Sequence, residues 1–318
     1  MTQPLFEVKD LKKYYRGRGG SVTKAVDGVS FSIYTGEVLG MVGESGCGKT
    51  SCGRTVAGLY PRDGGMVRYR GEDVHAMRGA RRAAFCREVQ TIFQDPYASL
   101  DGRNDVMELI AEGLDIQRLT RSAAERRERV EELMELVGLN LSGLHRYPHE
   151  FSGGMRQRIG IARALAVEPR FLLCDEPISA LDVSIQAQII NLLMDMREKK
   201  GLTYLLISHD LSMVKHVSDR IAVMYLGRIV ETSPAEELYG HPAHPYTRAL
   251  ISAIPIPDPR VERRRERIIL TGQVPGPSDR PDGCCFAGRC PYAEQSCFTC
   301  RPELREVSPG HTAACHKL

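Results

Sequence analysis

The chain has 318 residues, 42% of them apolar and 26% charged, the balance of a globular protein of one large or two modest domains. Its formal net charge of +3 is spread over many residues of both signs, which argues against a nucleic-acid-binding face. No run approaches the ~18 consecutive apolar residues of a membrane span, and the N-terminus lacks the apolar core of a signal peptide, so an intracellular protein is expected.

In chain order, residues 6–8 and 29–34 read as strands, because apolar and β-branched residues alternate or cluster there. Residues 37–42 form an apolar run that ends in a glycine-rich turn, the pattern of a buried parallel strand. The segment after Lys49 has no proline until Pro61 and predicts a helix. Residues 123–136 are rich in Glu, Arg, Leu and Met and predict another. Within it, Arg126, Arg127 and Arg129 read as a solvated face interleaved with glutamates. A further helix is predicted over 155–166. Residues 171–174 and 204–207 read as buried strands, with a helix at 184–199 between them. This alternation predicts an α/β fold with a mainly parallel sheet, in which ligands bind beyond the carboxyl ends of the strands.

After about residue 239 the texture changes. Pro242, Pro245, Pro255, Pro257, Pro259, Pro275, Pro277 and Pro281 interrupt any long regular element. A boundary near residue 240 is therefore expected, with a small irregular extension over 241–318. The arginine run at 263–267 reads as an exposed linker. Of ten cysteines, six fall in the last 35 residues: Cys284, Cys285, Cys290, Cys297, Cys300 and Cys315. Disulfides are disfavoured in a reducing compartment, so this cluster reads first as metal binding.

Two motifs carry chemistry. Gly43-Glu44-Ser45-Gly46-Cys47-Gly48-Lys49-Thr50 fits a phosphate-binding loop at every defined position, between a predicted strand and a predicted helix. Its glycines let backbone N–H groups curl around phosphates, and the helix N-terminus adds positive potential. Lys49 then reaches the β- and γ-phosphates, Thr50 ligates Mg²⁺, and Ser51 continues the nucleotide contacts. Cys47 reads as a small spectator within the loop. The second motif is the apolar strand that ends in Asp175 and Glu176. Asp175 can hold Mg²⁺ through water, and Glu176 lies where a carboxylate could polarise the attacking water.

Phe151-Ser152-Gly153-Gly154-Met155-Arg156-Gln157-Arg158 resembles the signature motif of ABC ATPases. A serine and two glycines ahead of a helix offer another set of phosphate-binding N–H groups. The other ABC motifs follow the family's order. Gln94 is similar to the glutamine that senses the γ-phosphate, ligates Mg²⁺ and touches the membrane subunit. Ser179-Ala180-Leu181-Asp182 is similar to the loop that crosses the dimer interface, and His209 to the switch histidine at the γ-phosphate. Tyr15 sits where the family places an aromatic that stacks on adenine, with Tyr14 the adjacent alternative. Singly, Gln94, His209 and Tyr15 read as surface or packing residues; their order gives them meaning.

The resemblance implies an ABC-type nucleotide-binding domain over 1–240, with a mainly parallel sheet core, an antiparallel β subdomain and a helical signature subdomain at about 95–170. It implies ATP and Mg²⁺ as ligands. It also implies a head-to-tail dimer in which Ser152, Gly153, Gly154 and Asp182 of one subunit cover the ATP held by residues 43–51 of the other. Glu176 would be the base, with Lys49, Gln94 and His209 stabilising charge.

Along nearly its whole length the chain resembles the ATP-binding subunits of oligopeptide/dipeptide importers, most closely at 174–231 and at His244-Pro245-Tyr246-Thr247-Arg248-Ala249-Leu250. That likeness implies a prokaryotic complex at the cytoplasmic face of the membrane. Its partners would be a second homologous ATPase subunit (a heterodimer, with a homodimer the alternative), two transmembrane permease subunits and an extracytoplasmic peptide-binding protein. No nucleic acid is expected. The chain is most similar to the second, F-type ATPase, except that Met155 stands where that partner has glutamine and the D-type has methionine. A nickel or other small-solute importer is the alternative, and a soluble ABC ATPase a more distant one. Cys284, Cys290, Cys297 and Cys315, spaced C-x5-C-x6-C-x17-C, resemble the family's C-terminal extension and imply a [4Fe–4S] cluster, with zinc or no metal as alternatives. Cys285 and Cys300 are extra to that pattern.

Overall fold

The computed structural model describes residues 3–17, 20–178, 181–255, 258, 260, 267–272, 275–276 and 281–318. Ser179 and Ala180 of the expected interface loop, Pro257, Pro259 and Pro277, and residues 263–266 of the arginine run lie outside the described residues. The chain divides into two compact units, residues 1–33, 37–75 and 206–318 in the first, 34–36 and 76–205 in the second.

The first unit opens with β1 (Phe6–Arg16) and β2 (Val22–Ile33), antiparallel from Phe6↔Ile33 to Arg16↔Val22. After β3 (Val38–Val42) and α1 (Lys49–Val56), β4 (Gly64–Tyr69) returns antiparallel to β1 and the short β5 (Glu72–Asp73) pairs with β4. The sheet β2-β1-β4-β5 is the antiparallel part that the resemblance implied. In β1, Phe6, Val8 and Leu11 are buried while Lys9 and Asp10 are exposed, as expected of a strand with one wet face. Both strands run well beyond the predicted residues. Their outer halves carry Lys12, Lys13 and Lys24, which hide the alternation. In β3 all five residues are buried, as its unbroken apolar run requires.

The second unit holds α2 (Gly79–Glu88), β6 (Val89–Ile92), α3 (Val106–Ile116), α4 (Ala123–Leu136), α5 (Gly153–Leu165), β7 (Phe171–Asp175) and α6 (Val183–Lys200). β6 pairs parallel with β7, from Val89↔Phe171 to Ile92↔Cys174. Helices α3, α4 and α5 pack on one another and form the expected helical part. Asp105 caps α3 by accepting from the Glu108 N–H at 2.9 Å, and Ser122 caps α4 by accepting from the Glu125 N–H at 3.2 Å. The basic run on α4 is a surface of ion pairs: Arg126 with Asp115, Arg127 with Glu131, and Arg129 with Glu168 at 3.0 Å. Such exposed pairs contribute little stability, and their acids leave no free basic patch. β8 (Thr203–Ser208), buried throughout, carries the chain back into the first unit.

There the chain adds α7 (Leu211–Val217), β9 (Arg220–Tyr225), β10 (Arg228–Pro234), α8 (Ala235–Gly240), α9 (Pro245–Ser252), α10 (Gln295–Thr299), β11 (Arg305–Ser308) and β12 (His311–Ala313). β3 lies parallel to β9, from Leu39↔Arg220 to Val42↔Val223. β10 runs antiparallel to β9, β12 antiparallel to β10, and β11 antiparallel to β12. The sheet is thus mixed, with parallel pairs where the apolar runs predicted them and antiparallel strands after Tyr225. The extension is also less irregular than its prolines predict. Pro245 opens α9, where a missing N–H costs nothing, and β12 joins the sheet at Glu231↔Ala313.

A buried carboxylate fastens that extension. Glu231 on β10 is fully buried and accepts hydrogen bonds from the Ala243 N–H at 2.7 Å, the His244 N–H at 2.9 Å and His311 Nε2 at 2.7 Å. It therefore joins the start of the extension and its last strand to the sheet. Three donors around one carboxylate offset the cost of removing it from water. No helix among the described residues is long and apolar enough to cross a membrane.

Candidate active site

In the first unit the loop of residues 43–48 links β3 to α1. Gly43 has φ +156° and Gly48 φ +105°. A Cβ at Gly43 would lie 2.1 Å from the Met224 carbonyl oxygen, and one at Gly48 2.0 Å from that of Ala25, so neither position admits a side chain. The Gly227 N–H donates to the Cys47 carbonyl at 2.7 Å, which pins the loop to the β9–β10 turn. Lys49 is 4% exposed, and its ammonium donates to the carbonyls of Gly43 at 2.8 Å and Glu44 at 3.1 Å. Ser45 and Gly46 stand exposed at the crest, and Thr50 is half-buried at the start of α1. This is an ammonium beside a glycine-shaped backbone cradle, which fits a bound phosphate chain.

Tyr15 flanks α1, its hydroxyl 3.2 Å from Ser51 Oγ and its ring 39% exposed. The Lys13 ammonium lies 5.2 Å from that ring's centroid, and Tyr60 meets the ring edge-on. Tyr14 instead gives its hydroxyl to Asp27 Oδ1 at 2.6 Å, so Tyr15 offers the more open ring of the two. His209 is exposed in the turn between β8 and α7. Asp210 fixes that turn: its N–H donates to Ser208 Oγ at 2.9 Å, and its carboxylate caps α7 by accepting from Ser212 N–H at 2.8 Å.

Cys47 is buried, and burial raises its thiol pKa against the opposing pull of the Lys49 ammonium. Burial pushes Cys52 up to about 12. Both therefore stay protonated and shielded, so Cys47 acts as a small packing residue. In a limited iodoacetamide reaction on the native protein, the exposed Cys86 and Cys300 are expected to label first and Cys47 and Cys52 only after unfolding. Peptide mass spectrometry reads the order; early labelling of Cys47 would overturn this assignment.

In the second unit, fully buried Asp175 closes β7. Glu176 follows with φ +48°, a left-handed conformation uncommon for a residue with a side chain. Such strain is retained where a carboxylate must be aimed. Gln94 Nε2 donates to Glu176 Oε2 at 2.9 Å, so these two expected site residues meet directly. The amide turns its nitrogen to the carboxylate, leaving its oxygen as the end suited to a cation. Asp175, buried at the carboxyl end of a strand, likewise fits a share in holding Mg²⁺.

The signature turn is built in the same unit. Ser152 caps α5, its Oγ accepting from the Met155 N–H at 3.4 Å, and Gly153 and Gly154 supply the first N–H groups of the helix. A Cβ on Gly154 would sit 2.6 Å from Ile185 Cγ2 of α6. Buried Arg156 holds the turn from behind, donating to the carbonyls of Pro148 at 2.5 Å and His149 at 3.1 Å, with its guanidinium carbon 3.5 Å from the Tyr97 ring centroid. Asp182 is exposed at the N-cap of α6, and Val183 beside it is 81% exposed.

The expected metal site of the extension gains no support. Cys284, Cys290, Cys297 and Cys315 do lie within electrostatic reach: burial first, then the neighbouring thiols, raises the pKa of Cys290 and Cys315. Yet among the described residues no three His, Cys, Asp or Glu side chains are grouped so as to hold a metal ion. The neighbouring Cys285 thiol, together with burial, pushes the Cys284 thiol up to about 12. The described residues thus lend no support to a [4Fe–4S] cluster or to zinc.

Sequence reasoning gave no role to Tyr246 or Arg289, which both contact Glu44 of the loop. Tyr246 stood within the His244–Leu250 stretch only as a mark of resemblance, and nothing local links either residue to the loop.

Comparison with known proteins places these features. The family model described as "ABC transporter" matches residues 26–179, and that described as "Oligopeptide/dipeptide transporter, C-terminal region" matches residues 230–297. The oligopeptide transport ATP-binding protein OppF of Bacillus subtilis is 53% identical over 316 residues, covering 99% of this chain and 97% of that protein. AppF of the same organism, also an oligopeptide transport ATP-binding protein, is 48% identical over 99% of this chain and 97% of its own length. Among solved structures, the post-hydrolysis dimer of the ATP-binding cassette MJ0796 bound to ADP and Pi aligns with TM-score 0.67 and 26% identity, covering 72% of this chain and 98% of that one. CbiO1 of Clostridium perfringens, part of the transporter complex CbiONQ, aligns with TM-score 0.65 and 25% identity, covering 75% of this chain and 91% of that one. An ABC ATPase fold, a phosphate loop and a full-length likeness thus agree: the chain belongs to the family of oligopeptide transport ATP-binding proteins, the ATPase subunits of ABC transporters.

Proposed function

We propose that this protein is the ATP-hydrolysing subunit of a membrane complex that imports short peptides. The observation that carries the reading is the 53% identity to OppF across 99% of the chain, C-terminal region included. That region favours peptides over nickel or another small solute as cargo, and a transport subunit over a soluble ATPase. Residues 1–240 would form the ATPase domain, with its helical part at about 95–170, and 241–318 the extension.

The roles follow from the side chains. Lys49 already donates to two carbonyls, and a triphosphate offers better, charged acceptors for the same ammonium. The loop of residues 43–48 cradles the phosphates through N–H groups other than that of Glu44, Thr50 and Ser51 continue the contact, and Tyr15 lends its ring to adenine. Thr50, Asp175 and Gln94 are suited to hold Mg²⁺, which when bound neutralises phosphate charge. Glu176 takes the proton of the attacking water, oriented by Gln94, and His209 supports the γ-phosphate. Ser152, Gly153, Gly154 and Asp182 serve the nucleotide held by a partner ATPase subunit, for which the exposed Val183 is a fitting contact.

We place the protein at the cytoplasmic face of the membrane, paired with a second, D-type ATPase on two permease subunits fed by a peptide-binding protein. The test is ATP hydrolysis by the assembled complex. Peptide-loaded binding protein is expected to raise the rate, and peptide-free binding protein to leave it low. A rate indifferent to peptide, or raised by nickel instead, would count against peptide import.

A further inference from the structure

Glu44, the second residue of the phosphate loop, is held through three of its groups at once. Its N–H donates to the Tyr246 hydroxyl oxygen at 2.9 Å. Its carbonyl accepts from the Lys49 ammonium at 3.1 Å. Its carboxylate takes a two-pronged pair from Arg289, Nη1 to Oε2 at 2.8 Å and Nη2 to Oε1 at 3.2 Å. Tyr246 and Arg289 both come from the segment after residue 240, while Lys49 is the residue assigned to the phosphates.

The two outer partners are built as rigid supports. Tyr246 is fully buried, in an aromatic cluster with Tyr225 at 4.6 Å and Phe286 at 5.4 Å between ring centroids. Phe286 also meets Tyr225 edge-on at 5.3 Å and His244 at 5.6 Å. Arg289 has a side chain only 9% exposed, and its Nη1 also lies 3.5 Å from the Tyr225 hydroxyl. The Glu44 carboxylate is the chief reason that this guanidinium is held firmly cationic. A paired, bidentate Arg–carboxylate contact fixes orientation as well as position.

The arrangement does more than fill space. A Tyr246 hydroxyl could have faced any buried acceptor; instead it receives a loop N–H that therefore points away from a bound phosphate. The Glu44 carbonyl accepts from the Cys47 N–H at 3.3 Å as well as from Lys49, so it ties the crest of the loop to that ammonium. Moving Glu44 moves both.

We propose that Tyr246 and Arg289 are positioning residues for ATP binding, which preform the phosphate loop by clamping Glu44 and so make the C-terminal extension part of the nucleotide site. The proposal rests on the reading that this loop binds ATP, and its test separates the two.

The experiment measures the affinity of the full-length chain for a fluorescent ATP analogue, and KM and kcat for ATP in the assembled complex. Variants are Tyr246→Phe, Arg289→Gln, Glu44→Gln and the Arg289→Gln/Glu44→Gln pair, with Lys49→Ala as reference. Tyr246→Phe keeps the ring and removes only the hydroxyl, so the aromatic cluster and the melting temperature are expected to survive. Each single variant is expected to weaken analogue binding and raise KM roughly three- to tenfold, with kcat within about twofold of wild type. The double variant is expected to lose no more than the worse single one, because both act through one contact. Wild-type affinity in Tyr246→Phe and Arg289→Gln, with binding lost in Lys49→Ala, would overturn the clamp and leave the loop reading intact. Affinity losses that merely follow falls in melting temperature would also overturn it. Unchanged binding in Lys49→Ala would instead remove the loop reading itself.

Discussion

Glu176→Gln is expected to stop ATP turnover in the assembled complex while leaving ATP binding intact. The amide has the shape of the carboxylate and keeps an oxygen for the Gln94 Nε2 bond, so the local structure should hold. What it loses is the ability to accept a proton from water. Removing a general base at a well-formed site typically costs roughly 10²–10⁴-fold in rate. The unhydrolysed ATP held at this chain's site should then keep the ATPase dimer closed, because ligand that binds only the closed state stabilises it by mass action. Single-turnover hydrolysis with labelled ATP measures the first effect and gel filtration with ATP the second. A variant that keeps about a tenth or more of the wild-type rate would remove Glu176 from this role. The base would then have to be sought elsewhere.

Glu231→Ala should give the largest loss of stability. The substitution leaves the Ala243 and His244 N–H groups and the His311 ring nitrogen without their shared acceptor, all of it buried. Breaking a buried, fully bonded charge in this way costs about 3–5 kcal/mol. Glu231→Gln keeps one acceptor oxygen and should lose less. The loss should also be local at first: the Ala314 N–H, which donates to the Val230 carbonyl at 2.8 Å, should exchange with solvent faster than amides of β3. Melting curves and hydrogen exchange read both. An unchanged melting temperature in Glu231→Ala would mean that the extension is held by its other contacts.

The parts of the site legible in the sequence were those whose chemistry is contiguous. Residues 43–50 announce a phosphate loop because glycine, lysine and threonine must follow one another within a single turn. Asp175 and Glu176 were legible because the apolar strand before them is unbroken, and α4, α5 and α6 because their composition or spacing is helical over ten residues or more. What stayed hidden depends on contacts between distant segments. Nothing near Tyr246 or Arg289 points to Glu44, and nothing near Ala313 points to its pairing with Glu231. β9 and β10 went unread although buried, and the outer half of β1 was masked by its lysines. The cysteine spacing meets the same limit. Spacing along a chain fixes which thiols are available but not whether they converge, and no converging group is found among the described residues.

The central claim is that ATP hydrolysis by this chain drives peptides across a membrane. Its most direct test is uptake of a labelled short peptide into sealed vesicles carrying the assembled complex, with ATP on the side of the ATPase subunits and binding protein on the other. Accumulation that requires ATP, and that Glu176→Gln in this chain abolishes, is the predicted result. Uptake that continues unchanged with Glu176→Gln, or that never depends on ATP, would contradict it.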